Sequence, residues 1–456
     1  MPSAERVQQP WLADDAAVSP AARCAHADVR DSEPTPRTAV AAGSSPGVAV
    51  PERLAPEPLL VRPGRPAAPA TIAPRAPSTT VAHAPEALEL HLEAWEDLVA
   101  NVAEPNPFFE PHALLSSWRE LPGADLQVVL VWAPHPLPGQ PAILIGLFPL
   151  VREARFRGMP LTAYATWTHL YAYLATPLVR ADRAGEAIEA LCEWLRGTDA
   201  AVFEWRTLGG DGPFRHALID TLNRLGLESF RDRSHTRALF RPAASAEAYL
   251  TNAIGGKKRK ELRRQERRLA ETGKLTYDEL APDGDLEAWL DEFVALEARG
   301  WKGQGGTALG DDRAGLAVFR AIARGAFARG QWMTLALRLD GRAIAMKCNV
   351  RSSGGAVAFK IAYDEAFARF SPGVLLELEH VRRLHEPGAP AWMDSGAAPN
   401  HPMIDHLWRD RRSIETIVVP TGRSLGALAV AVLPLARWLS RTVRDAAQHL
   451  RPRSRA

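Results

Sequence analysis

The chain has 456 residues, 46% of them hydrophobic, with a formal charge of +2 and three cysteines. That length calls for two or three domains, and that apolar fraction fills a sizeable core. The near-neutral total removes overall charge as a reason to bind nucleic acid. Cys24, Cys192 and Cys348, far apart and in no metal-ligand spacing, exclude a disulfide framework.

The opening Ser3, Ala4, Glu5 and Arg6 carry no apolar run of a secretory signal, so a cytoplasmic location is expected. Residues 1–85 hold 15 of the 37 prolines and show no sustained period of 2 or 3.6. Proline removes backbone donors, and few large apolar side chains are present to bury, so a disordered arm is expected there.

A first folded half is expected over 86–244. Leu88, Leu92, Trp95 and Leu98 have helical spacing, Pro107, Phe108 and Phe109 interrupt, and a second helix follows through Leu114, Leu115 and Trp118. Apolar runs at 126–132 and 142–151 read as strands. A helix at 184–196, a strand at 201–205, a helix at 213–225 and a strand at 236–240 complete a mixed α/β sheet. Trp167, His169, Tyr171 and Tyr173 form a polar-aromatic loop. Half-buried packing outweighs substrate contact there, because aromatics usually supply core area.

From Lys257 to Leu269 nearly every position is charged, with Leu262 and Leu269 on one face. Attraction of an anionic ligand and a merely solvated helix are both open. No RNA-binding motif or interleaved aromatics accompany the charge, which speaks against a nucleic-acid reader.

The second half, 245–420, reads helix (286–297), glycine-rich loop (300–306), helix (316–329), then strands at 332–339, 342–350 and 356–363. Asp340-Gly341 marks one hairpin and Gly354-Gly355 the next. Ser371, Pro372 and Gly373 then open a helix running to about residue 384. Serine is a good N-cap, proline suits the first helical position, and the free amides of a helix start suit a phosphate. Arg369 adds charge just before. A strand at 390–394, a short helix at 403–408 and a strand at 413–419 close the half.

This order resembles the GNAT acyltransferase fold, and the residues resemble the CelD-type (cellulose-biosynthesis-associated) family, a relative of Fem-type peptidyltransferases. The resemblance rests on the basic stretch 257–268, on Gly300-Trp301-Lys302-Gly303, on residues 339–345, on Lys360-Ile361-Ala362-Tyr363-Asp364-Glu365 leading to Phe370-Ser371-Pro372-Gly373, and on Asp394. No one of these is specific; their combination carries the likeness. It implies two GNAT-like halves in tandem and acetyl-CoA as acyl donor, held by Arg369, Ser371, Gly373 and Val374. Lys360, Trp301 and Lys302 are the candidates for substrate contact. The family's phosphate loop normally reads Arg/Gln-x-x-Gly-x-Gly/Ala. Here the matching stretch has one glycine and a proline, which leaves an aminoacyl-tRNA donor open.

Acyl transfer to an amine needs deprotonation of the amine, a donor to the oxyanion, and protonation of the leaving thiolate. Asp394 at a strand end is the expected base or amine anchor, and Tyr363 the expected acid. His401, Asp405 and His406 lack a convincing third ligand, so no metal is expected.

Residues 425–439 are nearly all apolar, with Arg437, Arg441 and Arg444 among and after them. The run is too short to span a bilayer. Lying on an anionic membrane surface and packing on the folded halves are both open for 425–450. The expected activity is N-acylation of an amino group on an envelope or exopolysaccharide precursor. A non-catalytic scaffold of a polysaccharide-assembly complex and a tRNA-dependent transferase are the alternatives.

Overall fold

A computed structural model describes residues 76–121, 123–300, 305–306 and 308–450. Most of the expected arm therefore lies outside the described residues. Its last part differs from expectation: Ser78–Ala82 forms an edge strand, β1, paired with Leu126–Ala133 (β2) from Ser78↔Trp132 to Ala82↔Val128. Val81 packs against the first-half core while Ser78 and Thr80 are exposed, a signal too short to stand out beside the prolines.

The first half continues through α1 (Pro85–Glu89), α2 (Leu92–Ala100), α3 (Pro111–Glu120), β2, β3 (Ile143–Glu153), β4 (Ala163–Thr166), β5 (Leu178–Val179), α4 (Ala184–Arg196), β6 (Val202–Gly209), α5 (Pro213–Arg224) and β7 (Phe230–Phe240). The second half runs α6 (Ala246–Ala253), α7 (Gly256–Ala270), β8 (Leu275–Asp278), α8 (Leu286–Arg299), α9 (Arg313–Ala328), β9 (Trp332–Leu339), β10 (Arg342–Ser352), β11 (Gly355–Tyr363), α10 (Pro372–Arg383), β12 (Trp392–Asp394), α11 (Ile404–Leu407) and β13 (Asp410–Pro420). A final helix, α12 (Ser424–Leu450), follows.

Local chemistry explains several boundaries. Ser245 and Asp285 cap α6 and α8 by accepting from the amides of Ala248 (3.2 Å) and Ala288 (3.0 Å). Asp340 and Gly341 both take positive φ, as a two-residue hairpin between right-twisted strands requires. The next turn is centred on Ser353 and Gly354, one residue earlier than expected. Gly355 belongs to β11, where a Cβ would come within 2.2 Å of the Trp392 ring.

All strands join one mixed sheet of 13 strands in the order β1-β2-β3-β4-β6-β13-β7-β12-β11-β10-β9-β8, with β5 on β3. Two pairings are parallel, β4 with β6 and β11 with β12, and each is made by a crossover that contains a helix, α4 or α10. The halves exchange their last strands. β7 pairs with β12 of the second half, β13 pairs with β6 of the first, and β7 and β13 pair with each other from Phe230↔Val418 to Leu239↔Asp410. Separating the halves would therefore open the centre of the sheet.

One core lies under α4 and α5, where Ile188, Leu191, Phe203, Trp205, Phe214 and Leu218 are fully buried. In the second half a ladder of rings runs from Trp289 to Phe293, Phe319 and Phe359, with successive centroids 5.5, 5.5 and 5.8 Å apart. Each such ring contributes roughly 1.5–3 kcal/mol through burial.

Candidate active site

The pairing of β11 with β12 stops at Val357↔Asp394. β12 ends there, while β11 continues to Tyr363 bonded to β10. The parallel strands thus part and leave one edge of β11 open from Ala358 onward. At the parting point β11 bulges: Cys348 opposes Lys360 and Asn349 opposes Ala358, so Phe359 is the extra residue. A bulge reverses the side-chain alternation. Ala356 and Ala358 pack towards Val381 and Leu384 of α10, and after the bulge Ile361 and Tyr363 take over that face. Lys360 is turned to the other one.

The first half closes the root of this gap. Tyr173 donates its hydroxyl hydrogen to the Phe359 carbonyl (3.0 Å), and the Lys360 ammonium lies 4.9 Å from the centre of the Tyr171 ring. Tyr171 in turn donates to Asp312 (3.2 Å). The polar-aromatic loop is therefore buried packing, as the sequence favoured, and it is packed at the seam of the halves beside Lys360. Burial lowers the pKa of Lys360, with the charges of Glu297 and Asp312 opposing the shift.

At the mouth of the gap Tyr363 lies over the first turn of α10. A Cβ on Gly373 would stand 3.5 Å from the Tyr363 ring and 3.8 Å from the Met403 sulfur, so alanine fits there and a long side chain does not. Burial, reinforced by the charge and hydrogen bond of Glu365, raises the pKa of Tyr363 and keeps its phenol protonated. Gly300, the last described residue before the expected substrate residues, would place a Cβ 3.2 Å from the Tyr363 carbonyl oxygen. Trp301 and Lys302 themselves lie outside the described residues.

Ser371 differs from expectation. It adopts a left-handed conformation (φ 52°, ψ 52°), and its side chain makes no cap. Its carbonyl accepts from the amides of Val374 (2.9 Å) and Leu375 (3.0 Å). Pro372 has no amide to offer. Helix geometry leaves the Gly373 amide without an acceptor in α10, so this helix start is a narrower anion seat than a glycine-rich one. Arg369 is exposed, with its guanidinium 4.7 Å from the Phe370 ring. Helix α7 packs on the turn Glu365–Phe370 that leads into α10. Lys257, Lys260, Arg264 and Arg268, spaced three and four apart on α7, are exposed, and among the described residues no carboxylate pairs with them.

Asp394 is held in a network of its own. It is completely buried and accepts from Arg237 (2.6 Å) and Arg412 (2.9 Å), while its other oxygen accepts from the Gly396 amide (3.0 Å). Burial raises its pKa, but the two guanidinium groups outweigh that and hold it below the usual carboxylate range. A carboxylate so occupied is a poor proton acceptor. It is a tie at the strand exchange, extended through Arg412 to Glu104 of the first half.

Sequence reasoning missed this network and a second one beneath α10. There Lys347 donates to Glu377 (2.7 Å), and His380 Nδ1 lies 2.8 Å from the same ammonium. Lys347 lies 30 and 33 positions from these two partners, at spacings that no local pattern marks. His401 accepts from the amides of Met403 (3.3 Å) and Ile404 (3.4 Å) and so serves the start of α11. Among the described residues no group of three potential metal ligands occurs.

A helix-crossed parallel step, a bulge at the parting strands and a helix start at the mouth of the gap give the second half the arrangement of a GNAT-type acyltransferase fold; the first half repeats the helix-crossed parallel step at β4 and β6. Residues 256–401 match the family model of the acetyltransferase (GNAT) domain. The chain is similar to the crystal structure of FemX (11% identity, 72% of this chain and 95% of that one, TM-score 0.48). It is also similar to a conserved protein of unknown function from Bacteroides thetaiotaomicron (13%, 72% and 97%, 0.47) and to a tandem GNAT protein from the clavulanic acid biosynthesis pathway (14%, 76% and 99%, 0.39). No curated protein matches the sequence.

Proposed function

We propose that the protein is an acyl-CoA-dependent N-acyltransferase of the CelD type. It would transfer an acetyl group to an amino group of an envelope or exopolysaccharide precursor, in the cytoplasm at the inner face of the membrane. The observation that carries this reading is the parting of β11 from β12 beside the start of α10, within the segment that matches the acetyltransferase domain.

In this reading the thioester lies in the gap, with its pantetheine arm along the free edge of β11 and its phosphates at Gly373 and Arg369. An amide on that edge donates to the developing oxyanion. The neutral acceptor amine attacks and the C–N bond forms; the adduct releases its N–H proton to water, the C–S bond breaks, and Tyr363 gives its phenolic proton to the leaving thiolate and regains one from water. Lys360 contacts the acceptor from the seam. Holding both substrates in line supplies much of the acceleration.

A second reading, an aminoacyl-tRNA donor, is favoured by the unpaired cations on α7. Titration calorimetry with acetyl-CoA tests the first. Micromolar binding, about −8 kcal/mol, that is lost in Gly373→Glu supports it. A folded protein that ignores acetyl-CoA and binds tRNA with a steep salt dependence supports the second. A protein that binds neither is left as a scaffold.

A further inference from the structure

Helix α12 has two apolar faces. One is docked: Ala429, Val430 and Leu433 are buried against Phe156, Val202 and Val418. Gly426 sits so close to the sheet that a Cβ would come within 1.8 Å of the Ala201 carbonyl oxygen. On the opposite side Leu425, Leu428, Val432, Leu435 and Leu439, spaced alternately three and four apart and joined by Trp438, are 42–63% exposed. A surface helix ordinarily turns polar residues outward. Among the described residues nothing covers this second stripe.

We propose that this stripe seats the protein on an anionic bilayer surface, with α12 lying flat between the sheet and the headgroups. Charge argues for a bilayer over a second copy of the chain. Residues 421–456 contain seven arginines and one aspartate, so two such segments repel, whereas an anionic headgroup layer attracts each of them. The spacing would suit a coiled coil, but it lasts only to Leu439 and continues with Thr442 and Ala446. Trp438 supplies the ring that favours the boundary between headgroups and acyl chains. No described helix is long and apolar enough to cross a membrane, so the geometry is that of a helix lying on the surface. The inference is independent of the acyl-transfer reading, because it needs no ligand in the gap.

The test is co-sedimentation of the full chain with vesicles of phosphatidylglycerol and phosphatidylcholine, and with phosphatidylcholine alone. Binding to the anionic vesicles is expected, weakened at ~1 M salt. The double variant Leu428→Glu/Leu435→Glu, whose side chains point away from the sheet, should bind them at least about tenfold less well. Its unfolding midpoint and any acetyl-CoA affinity should stay unchanged. Absence of vesicle binding by the parent, or undiminished binding by the variant, overturns the proposal. So does light scattering that finds a lipid-free dimer which the variant dissolves.

Discussion

Arg237 and Asp394 meet 2.6 Å apart in full burial, and their strands belong to different halves of the chain. Arg412 on the last strand joins them and reaches back to Glu104, so the strand exchange at the centre of the sheet is fastened by charge as well as by backbone bonds. Two buried guanidinium groups depend on this network, and removing a carboxylate leaves them without compensation.

Asp394→Asn should therefore destabilise the fold by about 3–5 kcal/mol, seen as a lower urea midpoint. Turnover per folded molecule should persist. A variant of unchanged stability that has lost turnover would return Asp394 to the role of base.

The order of elements was legible in the sequence because helices and strands announce themselves by local period and by turns such as Asp340-Gly341. The exchange of β7 and β13 was not, since pairing partners 180 or so positions apart leave no periodic trace. Residues 236–240 read as an isolated closing strand, yet β7 begins at Phe230, where Arg231, Asp232 and Arg233 mask the alternation. Asp394 stands out in the sequence as an acid at a strand end, but its pairing leaves no local mark, because Arg237 and Arg412 approach it only in three dimensions. At Ser371 the residue type suggested a cap, while the turn into α10 demands a left-handed backbone that removes it.

Tyr363→Phe tests the proposed acid. The ring still covers Gly373, so acetyl-CoA affinity should hold while kcat falls about a hundredfold. Because burial and Glu365 raise the phenol above its ordinary value of 10.0, it stays protonated throughout the neutral and mildly alkaline range. The wild-type kcat should show no alkaline loss attributable to this group below that value. Equal kcat in the variant would remove Tyr363 from the chemistry.

Lys360→Met separates acceptor contact from donor binding. Methionine keeps a side chain of similar length and removes the charge that lies over the Tyr171 ring. The expected result is a KM for the amine acceptor raised roughly tenfold with acetyl-CoA affinity unchanged, the pattern of a lost binding contact. Initial-rate kinetics against each substrate decide it.

The ionic cluster under α10 predicts how stability responds to acid. Burial disfavours the Glu377 carboxylate, but the Lys347 ammonium at 2.7 Å and His380 outweigh it and hold its pKa down to about 2, against an ordinary 4.5. A depressed acid stabilises the fold at pH values above 4.5, and that stabilisation drains away as the pH falls from 4.5 towards 2. His380 adds to the same trend: burial and Lys347 lower its pKa, so below its ordinary 6.5 the unfolded chain takes up a proton that the folded one resists. The urea midpoint should fall progressively below about pH 6.5 and more steeply below about pH 4.5. Lys347→Met/Glu377→Leu, which replaces the pair by apolar groups of similar size, should keep most of the neutral-pH stability and flatten the acid limb. An acid limb identical in the two proteins would place the acid sensitivity elsewhere, with the network around Asp394 the next to examine.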